Sequence, residues 1–335
     1  MDLPLIWAGL IAFAVLAYVV LDGFDLGVGI LFCVEHDAHD RDTMVNSIAP
    51  VWDGNETWLV LGGGGLFAVF PLAYATILPA LYPAMIGMLL GLVFRGVAFE
   101  FRFRATTGWG RRAWDVSFML GSSLAAFCQG LALGGLLQGI HVENRAYAGG
   151  WFDWLTGFTV LCGVSLVVGY ALLGATWLIW RTEGALQERC RKHARAVGVA
   201  MVSLIFVVSL WTPMLNPRFE TRWFGWPGIL LTSPVPLLVA LLSWLGWRAL
   251  WNSESHIRAF ACALGLFVLC YVGLGISMFP LMVPPSITIW DAAAPYDSQL
   301  FLLVGASVLI PVILAYTGYA YWVFRGKVKH GVHYH

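Results

Sequence analysis

Six acidic residues are the strongest candidates for chemistry in this sequence, because each lies inside or beside a long apolar segment. They are Asp22, Asp25, Asp53, Glu56, Glu100 and Asp115. An ionisable side chain in or near the hydrocarbon of a membrane costs about 3 kcal/mol or more, so by default it marks an ion or proton route. This pattern predicts a membrane protein that handles protons.

The first two of these acids form a pair. Asp22 and Asp25 are three residues apart, which places them on one helix face, about 4.5 Å apart along the axis. Two carboxylates this close raise each other's affinity for protons, as a proton relay requires. The alternative is a position at the inner headgroups, because Asp25 comes roughly 33 Å along its segment.

Asp53 lies in an irregular stretch, residues 46–58, that mixes proline, glycine, two tryptophans and polar groups at a membrane edge. Irregular backbone at membrane depth is tolerated only where protein or water surrounds it. We therefore expect Asp53 to contribute to a proton route. The alternative is that Asp53 is the N-cap of the second helix.

The composition indicates an integral membrane protein. Hydrophobic residues make up 59% of the chain and charged residues 11%, whereas soluble domains contain about 25% charged residues. The six cysteines show no C-x-x-C pair, so we expect no disulfide framework and no metal site, and we expect the cysteines to fill the core. The first segment lacks a basic start and a cleavage site, which favours a spanning helix over a signal peptide.

Apolar segments near 20 residues predict an all-α fold with about nine transmembrane helices. Two four-helix bundles plus one helix would suit this count, and the short connections predict a single membrane domain over residues 1–335. The predicted helices are 4–33, 57–75, 78–99, 115–140, 155–180, 195–213, 228–250, 258–280 and 298–324.

The distribution of positive charge predicts the orientation. With the N-terminus in the periplasm and the C-terminus in the cytoplasm, only Arg145, Arg218 and Arg222 of the 19 Lys and Arg residues fall outside. Short cytoplasmic loops retain positive charge, so this orientation is expected.

The histidines predict that no haem is bound by this chain. All eight fall in predicted loops, helix ends or the tail, away from the depth at which a membrane haem needs axial ligands: His36, His39, His141, His193, His256, His330, His333 and His335. If the protein takes part in electron transfer, another subunit must hold the metal. The chain also lacks a phosphate-binding loop, which argues against direct ATP or dinucleotide chemistry.

Several motifs together resemble a known family. They are Asp22-Gly-Phe-Asp25, the Trp-Asp-Gly-Asn core of residues 52–55, Arg95-Gly-Val-Ala-Phe-Glu100, Trp114-Asp115, Met278-Phe-Pro280, Pro284-Pro-Ser286 and Trp290-Asp291. In this combination the chain closely resembles subunit II of the cytochrome bd-type quinol oxidases. The compact size is similar to the cyanide-insensitive branch.

The resemblance implies a nine-helix subunit of the bacterial inner membrane that pairs with a homologous subunit I. Subunit I would hold the haems, either all of type b or of types b and d. The complex would oxidise ubiquinol or menaquinol and reduce dioxygen to water. Subunit II would stabilise its partner and provide a cytoplasmic proton path, so that the reaction builds a proton gradient. Membrane lipids and a small single-helix accessory subunit are further expected partners, nucleic acid is not, and a bound structural quinone is left open.

The resemblance also assigns roles to single residues. Asp53 is the main candidate in the proton path, with Asp22 and Asp25 at its mouth. Glu100 occupies a position that is often Asp in relatives. Glu100 and Asp115 complete the set of acids expected in the proton path. Trp58 matches a tryptophan near a dioxygen conduit, and a packing indole is the alternative.

Two other classes of function remain open from the sequence alone. A secondary transporter would use the same acids for ion coupling and would show paired broken helices in matching repeats, and we find no such pair. A purely structural scaffold would need no acids, so neutralising them would be harmless.

The predicted orientation can be tested with reporter fusions. Fusions after Arg112, Arg195 and Lys329 are expected to report a cytoplasmic location, and fusions near Asn144 and Asp297 a periplasmic one, because positive charge is retained inside. A cytoplasmic signal near Asn144 would show that a helix has been miscounted.

Overall fold

The computed structural model describes residues 1–252 and 256–328. Lys329 and the three tail histidines therefore lie outside the described residues. The helices are α1 (Leu3–Ile30), α2 (Ala38–Ile48), α3 (Trp52–Val69), α4 (Pro71–Phe101), α5 (Gly108–Gln138), α6 (Gly157–Arg181), α7 (Gly184–Leu215), α8 (Pro217–Phe224), α9 (Gly228–Thr232), α10 (Pro234–Trp251), α11 (His256–Met278), α12 (Ile289–Ala292) and α13 (Tyr296–Val323). Two short antiparallel hairpins pair β1 (Val142–Glu143) with β2 (Ala146–Tyr147) and β3 (Leu281–Val283) with β4 (Ile287–Thr288).

Helix α1 shows how the sequence defines these long helices. The Asp2 side chain accepts a hydrogen bond from the backbone N–H of Leu5, and a proline lies in the first turn, as is typical of a helix start. The apolar run then continues without a charge to Asp22. From Asp22 to Ile30 every residue is buried, so the acidic pair lies in the most enclosed part of α1.

The long helices fall into two groups of four. Helices α1, α3, α4 and α5 form the first group, and α6, α7, α10 and α11 form the second. Helix α6 joins the groups because it packs against both α1 and α5, whereas α13 lies against α1 and α3. Successive long helices alternate in direction, so α1, α4, α6, α10 and α13 all finish at one end of the molecule. We call it the basic end, because most of the arginines lie there.

Glycines allow α1 and α6 to cross with their backbones in contact. A Cβ atom at Gly27 would lie 1.9 Å from the carbonyl oxygen of Tyr170, and one at Gly174 would lie 2.3 Å from the carbonyl carbon of Gly27. Such small residues at helix crossings are the usual means of close packing in membranes. This crossing fixes the segment of α1 that carries the acidic pair.

Eight of the described helical segments are long and apolar enough to cross a membrane, so the predicted count of nine is not confirmed. The second predicted helix corresponds to α3, which is not among the eight. Helix α3 contains 18 residues, and it carries Asp53, Asn55 and Glu56 near its start and four consecutive glycines further along. These residues lower its mean hydropathy below that of its neighbours.

Several predicted helix boundaries were wrong, among them the start of α5, which lies at Gly108 instead of 115, and the start of α3, which lies at Trp52 instead of 57. The break expected at residues 76–77 lies at Phe70, because Pro71 starts α4 and disfavours helical geometry in the residue before it. Helix α7 begins at Gly184 instead of 195, since a polar helical extension leaves no hydropathy signal. The helix predicted at 228–250 is divided into α9 and α10 around Ser233.

Substitution of the crossing glycine should test the packing of α1 on α6. Gly27→Ala is expected to destabilise the protein by about 1–3 kcal/mol or more, because the added methyl group overlaps the Tyr170 carbonyl. Gly9→Ala, on the same helix, is the matched control, since a methyl group there meets no atom within 4 Å and alanine favours a helix. The measurement is the thermal stability of the purified protein, and equal stability of the two variants would contradict the crossing.

Candidate functional site

A buried charge cluster lies where α1, α3 and α4 meet. We define it as Asp22 and Asp25 from α1, Glu56 from α3 and Arg95 from α4. The side chains of Asp22, Asp25 and Arg95 are fully buried, and that of Glu56 is 29% exposed. Three separate helices therefore place four ionisable groups in one enclosed site.

Arg95 is the centre of this cluster. Its Nη1 atom lies 2.8 Å from Asp22 Oδ1 and 3.8 Å from Glu56 Oε2, and its Nη2 atom lies 3.8 Å from Asp25 Oδ2. The guanidinium carbon also lies 5.6 Å from the centre of the Trp52 ring, within the range of a cation–π contact. One cation thus contacts all three carboxylates.

The charges in the cluster do not balance. Three carboxylates against one guanidinium would give a net charge of −2 if every group were ionised. Excess charge in a buried site is expensive, and neighbouring carboxylates relieve it by sharing protons. The arrangement is therefore suited to holding protons that can be exchanged.

Hydrogen-bond geometry supports the same conclusion. Within the described part of the chain, both oxygens of Asp22, one oxygen of Asp25 and all three guanidinium nitrogens of Arg95 lack an aligned hydrogen-bond partner. The short contact between Arg95 and Asp22 is thus an ion pair rather than a well-aligned hydrogen bond. Polar atoms left in this state inside a protein are uncommon, and a catalytic role is one of the established explanations for them.

Asn55 orients the Asp25 carboxylate. Its amide nitrogen donates to Asp25 Oδ2 at 2.7 Å, and its amide oxygen accepts a hydrogen bond of 2.9 Å from the Tyr321 hydroxyl of α13. An amide has one donor side and one acceptor side, so this pair of bonds leaves a single orientation of the Asn55 side chain. The role of Asn55 is therefore to position Asp25.

A second side-chain amide, that of Gln129, orients two tyrosine hydroxyl groups beside the cluster. Gln129 of α5 donates to the Tyr18 hydroxyl oxygen at 2.6 Å and accepts from the Tyr170 hydroxyl at 2.8 Å. Since Tyr18 accepts from Gln129, its own O–H can donate elsewhere. Tyr18 lies one helical turn from Asp22 on the same face of α1, so its hydroxyl lies beside the acidic pair.

Asp115 lies in a different set of contacts at the basic end. Its carboxylate accepts hydrogen bonds from Arg41 at 2.9 Å and from Arg102, and Asp42 accepts hydrogen bonds from Arg102 and Arg111. We call these five residues the basic-end network. It fixes α2 against α4 and α5, and Arg102 lies two turns, or about 10 Å, along α4 from Arg95.

Asp42 shows the strength of this network. Partial burial alone would raise its pKa, but hydrogen bonds from Arg111 and Arg102 outweigh burial and lower the pKa below its usual value. A carboxyl whose pKa is lowered by folding stabilises the folded state above its unfolded pKa. That contribution is lost as the pH falls through the lowered value.

The structure separates the predicted site residues. Asp22 and Asp25 come together with Arg95, whereas Asp53 and Glu100 are exposed on the surface of this chain and Asp115 belongs to the basic-end network. The N-cap alternative for Asp53 is wrong, because α3 begins after Val51 and no side chain caps it.

Trp58 is buried and packs edge to face on Phe13, with ring centres 5.6 Å apart. It also belongs to a small apolar cluster with Ala14 and Tyr18. These contacts are those of a packing residue.

Sequence reasoning missed several residues of the site. In the sequence analysis Arg95 counts only toward the cytoplasmic positive charge and as part of a motif, although an arginine inside an apolar segment requires a partner. Glu56 stands out as an acid but receives no role beside Asp53, and Asn55 appears only as part of a motif. Gln129 gives a weak signal as a lone amide in an apolar run.

The described histidines lie away from the centre of the spanning helices. His36 and His141 are exposed in connections, and His39 is exposed in the first turn of α2. His193 lies in the basic-end half of α7, and His256 is the first residue of α11. Among the residues that the structure describes, no group of three or more His, Cys, Asp or Glu side chains could hold a metal ion. All six cysteines are free; Cys128, Cys162 and Cys190 are buried, whereas Cys33 is exposed and does not fill the core.

Comparison with known proteins identifies the family. The family model of the cytochrome bd terminal oxidase subunit II matches residues 3–324. The chain belongs to this family. It is therefore a multi-pass protein of the bacterial inner membrane and a component of a respiratory terminal oxidase. This membership speaks against the alternative of a secondary transporter.

Individual relatives agree with this assignment. The chain is 33% identical to the cytochrome bd-I ubiquinol oxidase subunit 2 of Escherichia coli (strain K12), over 97% of this chain and 95% of the relative. It is 29% identical to the cytochrome bd ubiquinol oxidase subunit 2 of Bacillus subtilis (strain 168), over 97% and 96% of the two chains. The solved bd oxidase from Geobacillus thermodenitrificans shares the fold, with a TM-score of 0.80 at 17% identity over 98% of this chain and 100% of that one.

Removal of the central cation should destabilise the cluster. Arg95→Gln is expected to cost about 3–5 kcal/mol, because it leaves buried carboxylates without their counter-charge. Adding Asp22→Asn to that variant should restore part of the loss, since one excess negative charge disappears. Arg104→Gln is the matched control, because Arg104 lies on the surface against Phe101. Thermal stability and yield are the measurements, and an Arg95→Gln variant as stable as Arg104→Gln would contradict the central role of Arg95.

Proposed function

We propose that this chain is the haem-free subunit II of a quinol:dioxygen oxidoreductase, and that it conducts protons from the cytoplasm toward a haem-bearing subunit I. The observation that carries the proposal is the buried cluster of three carboxylates around Arg95. Family membership and the names of the relatives support the oxidase assignment.

We further propose nine spanning helices, with α3 as the ninth. Its 18 residues give a length of about 27 Å, close to the roughly 30 Å hydrocarbon thickness of a membrane. With nine spans the two termini lie on opposite sides, and the positive charge places the basic end in the cytoplasm. The buried charge cluster is then nearer the cytoplasmic surface than the periplasmic one.

The proposed proton path begins at α3. Asp53 is exposed, and Glu56 follows three residues later on the same face with partial exposure. A proton passes from these acids to Asp25 and Asp22, where Arg95 limits the build-up of negative charge. Asp53 thus forms the mouth of the path and the Asp22/Asp25 pair its interior, the reverse of the order expected from the sequence.

The residues around the pair give the path its direction. Asn55 holds Asp25 in one orientation, and Gln129 holds the Tyr18 hydroxyl so that its proton points away from Gln129. Carboxamides do not exchange protons readily at neutral pH, so they restrict transfer to the carboxylates and the Tyr18 hydroxyl. Protons taken up inside are consumed in water formation, while quinol protons leave outside. The reaction therefore builds a proton gradient.

Neutral variants of the acids test this path. Asp25→Asn keeps the shape and most hydrogen bonds but removes the titratable group, so turnover should fall by about 10²–10⁴-fold, less if water provides parallel routes. Asp53→Asn should lower turnover by a smaller factor, because other groups can deliver protons at an exposed mouth. The measurement is oxygen consumption per haem in the purified two-subunit complex.

The control for these variants is Asp297→Asn, an exposed acid at the opposite end of the molecule, which should leave turnover unchanged. Haem content and assembly should stay near those of the parent in all three variants. Normal turnover in Asp25→Asn would remove the proton role and leave the structural scaffold as the better account. A large loss in Asp53→Asn with a normal Asp25→Asn would show that protons bypass the buried pair.

The partner assignment has its own test. Expressed alone, the chain should purify without haem, and haem should be recovered only when a histidine-bearing second subunit is co-expressed, since axial ligands must come from that subunit. Haem is measured from the absorption spectrum of the reduced protein in each preparation. Stoichiometric haem on the isolated chain would refute the assignment.

A further inference from the structure

An open apolar groove lies on the outer surface of the second helix group. It has a volume of about 270 Å³ and is bounded by α7 and α10, with α6 and α11 behind it. Its lining runs from Val202 and Leu242 near the middle of these helices to Leu250 and Ala259 at the basic end. The groove therefore follows one leaflet of the membrane, from its middle to the headgroup region at the basic end.

The hydroxyl groups in the walls of this groove have no proton left to donate to an occupant. The hydroxyl groups that line it donate to carbonyl groups of their own helices: Thr176 to Leu172 at 2.8 Å, Ser203 to Val199 at 3.0 Å and Ser243 to Val239 at 2.7 Å. All remaining lining side chains are apolar, apart from the indole of Trp247 and the thiol of Cys262. The chemistry of the groove fits a hydrocarbon chain rather than a polar ring.

Positive charge lies at the basic end of the same groove. Arg195 donates from Nε and Nη2 to the carbonyl oxygen of Leu250, itself a lining residue, and its guanidinium lies 3.9 Å from the centre of the Trp251 ring. Arg248 belongs to another face of α10, because it lies over Trp244 at 5.0 Å and neither residue lines the groove. Arg195 is thus fixed where the groove ends.

Lys192 adds a further cation at this point. It is exposed on α7, three residues before Arg195 and therefore on the same helix face. The nearby Glu188 is directed to another cation, since its carboxylate lies 3.6 Å from Arg191. Lys192 and Arg195 form what we call the basic rim of the groove.

We propose that the groove binds one acyl chain of an anionic phospholipid, and that the basic rim binds its phosphate. Basic pockets between helices at the cytoplasmic surface are typical sites for anionic headgroups, and tryptophans such as Trp244 and Trp251 anchor helices at that depth. The positive charge of the rim favours an anionic headgroup over a zwitterionic one. The apolar walls of the groove bind the acyl chain of the same lipid. The site is independent of the proton path, because it lies on other helices.

Native mass spectrometry of the purified two-subunit complex tests the site. The probes are phosphatidylglycerol and phosphatidylcholine with identical acyl chains, offered at equal concentration to delipidated complex. The parent complex should retain phosphatidylglycerol in preference to phosphatidylcholine. The double variant Lys192→Gln/Arg195→Gln should lower retention of phosphatidylglycerol by roughly tenfold to thirtyfold, because each cation near the surface contributes to binding.

Two further pairs of variants locate the bound acyl chain and the lipid headgroup. Val199→Trp should fill the groove and lower retention of both lipids, whereas Val207→Trp, on α7 outside the lining, should not. Arg325→Gln is the control for the rim, since Arg325 lies over Trp322 on α13, away from the groove. Assembly is checked by the haem content of each variant.

Some results would overturn the proposal. Equal retention of the two lipids by the parent would show an unselective lipid contact. Unchanged phosphatidylglycerol retention in Val199→Trp would place the lipid elsewhere. Recovery of an isoprenoid quinone from the parent and its loss in Val199→Trp would identify a different occupant of the groove.

Discussion

The contact of one guanidinium with three carboxylates is the interaction on which the rest of the structure depends. Arg95 draws Asp22, Asp25 and Glu56 from two other helices into a buried site that no single helix could form. A buried ion pair is weak support for stability, because desolvation offsets much of the attraction. Its value here is positional, since the cation determines which faces of α1, α3 and α4 must meet.

The surrounding structure holds that site without using loops. The close crossing of Gly27 on α6 and the hydrogen bond from Tyr321 on α13 fix α1 and α3 from opposite sides. The basic-end network then ties α2 to α4 and α5 about two turns beyond Arg95. Groups held on rigid helices keep their spacing more accurately than groups on loops, and proton transfer between carboxylates requires such accuracy.

The sequence predicted the class of protein, its helical fold and the acidic pair, because hydrophobic runs and charges within them are local signals. It could not place Phe70 as a break, since apolar residues continue on both sides and hydropathy has no minimum there. The polar start of α7 was missed for the opposite reason, because a helix that leaves the membrane gives no hydropathy signal.

The centre of the site was harder to predict than its acids. Asp53 and Glu56 lie one helical turn apart, yet the first is exposed and the second is largely enclosed, and only the packing of α4 decides between them. Arg95 is visible in the sequence through its charge alone, because its partners lie about 40 to 70 residues away in the chain. Contacts between helices of this kind have no signature in a single sequence.

The short link between α3 and α4 has a consequence for how the chain enters the membrane. Helix α3 has two acids near its start and four glycines, so its hydropathy alone would not retain it in the bilayer, whereas the 31-residue α4 is strongly apolar. Only Phe70 separates them, so with α3 as the proposed ninth span we expect the two helices to insert as one hairpin. Glu56 and Arg95 would then enter with opposite charges on adjoining helices, after α1 has delivered its carboxylates. In this order of synthesis Arg95 reaches the membrane when all three of its carboxylate partners are within reach.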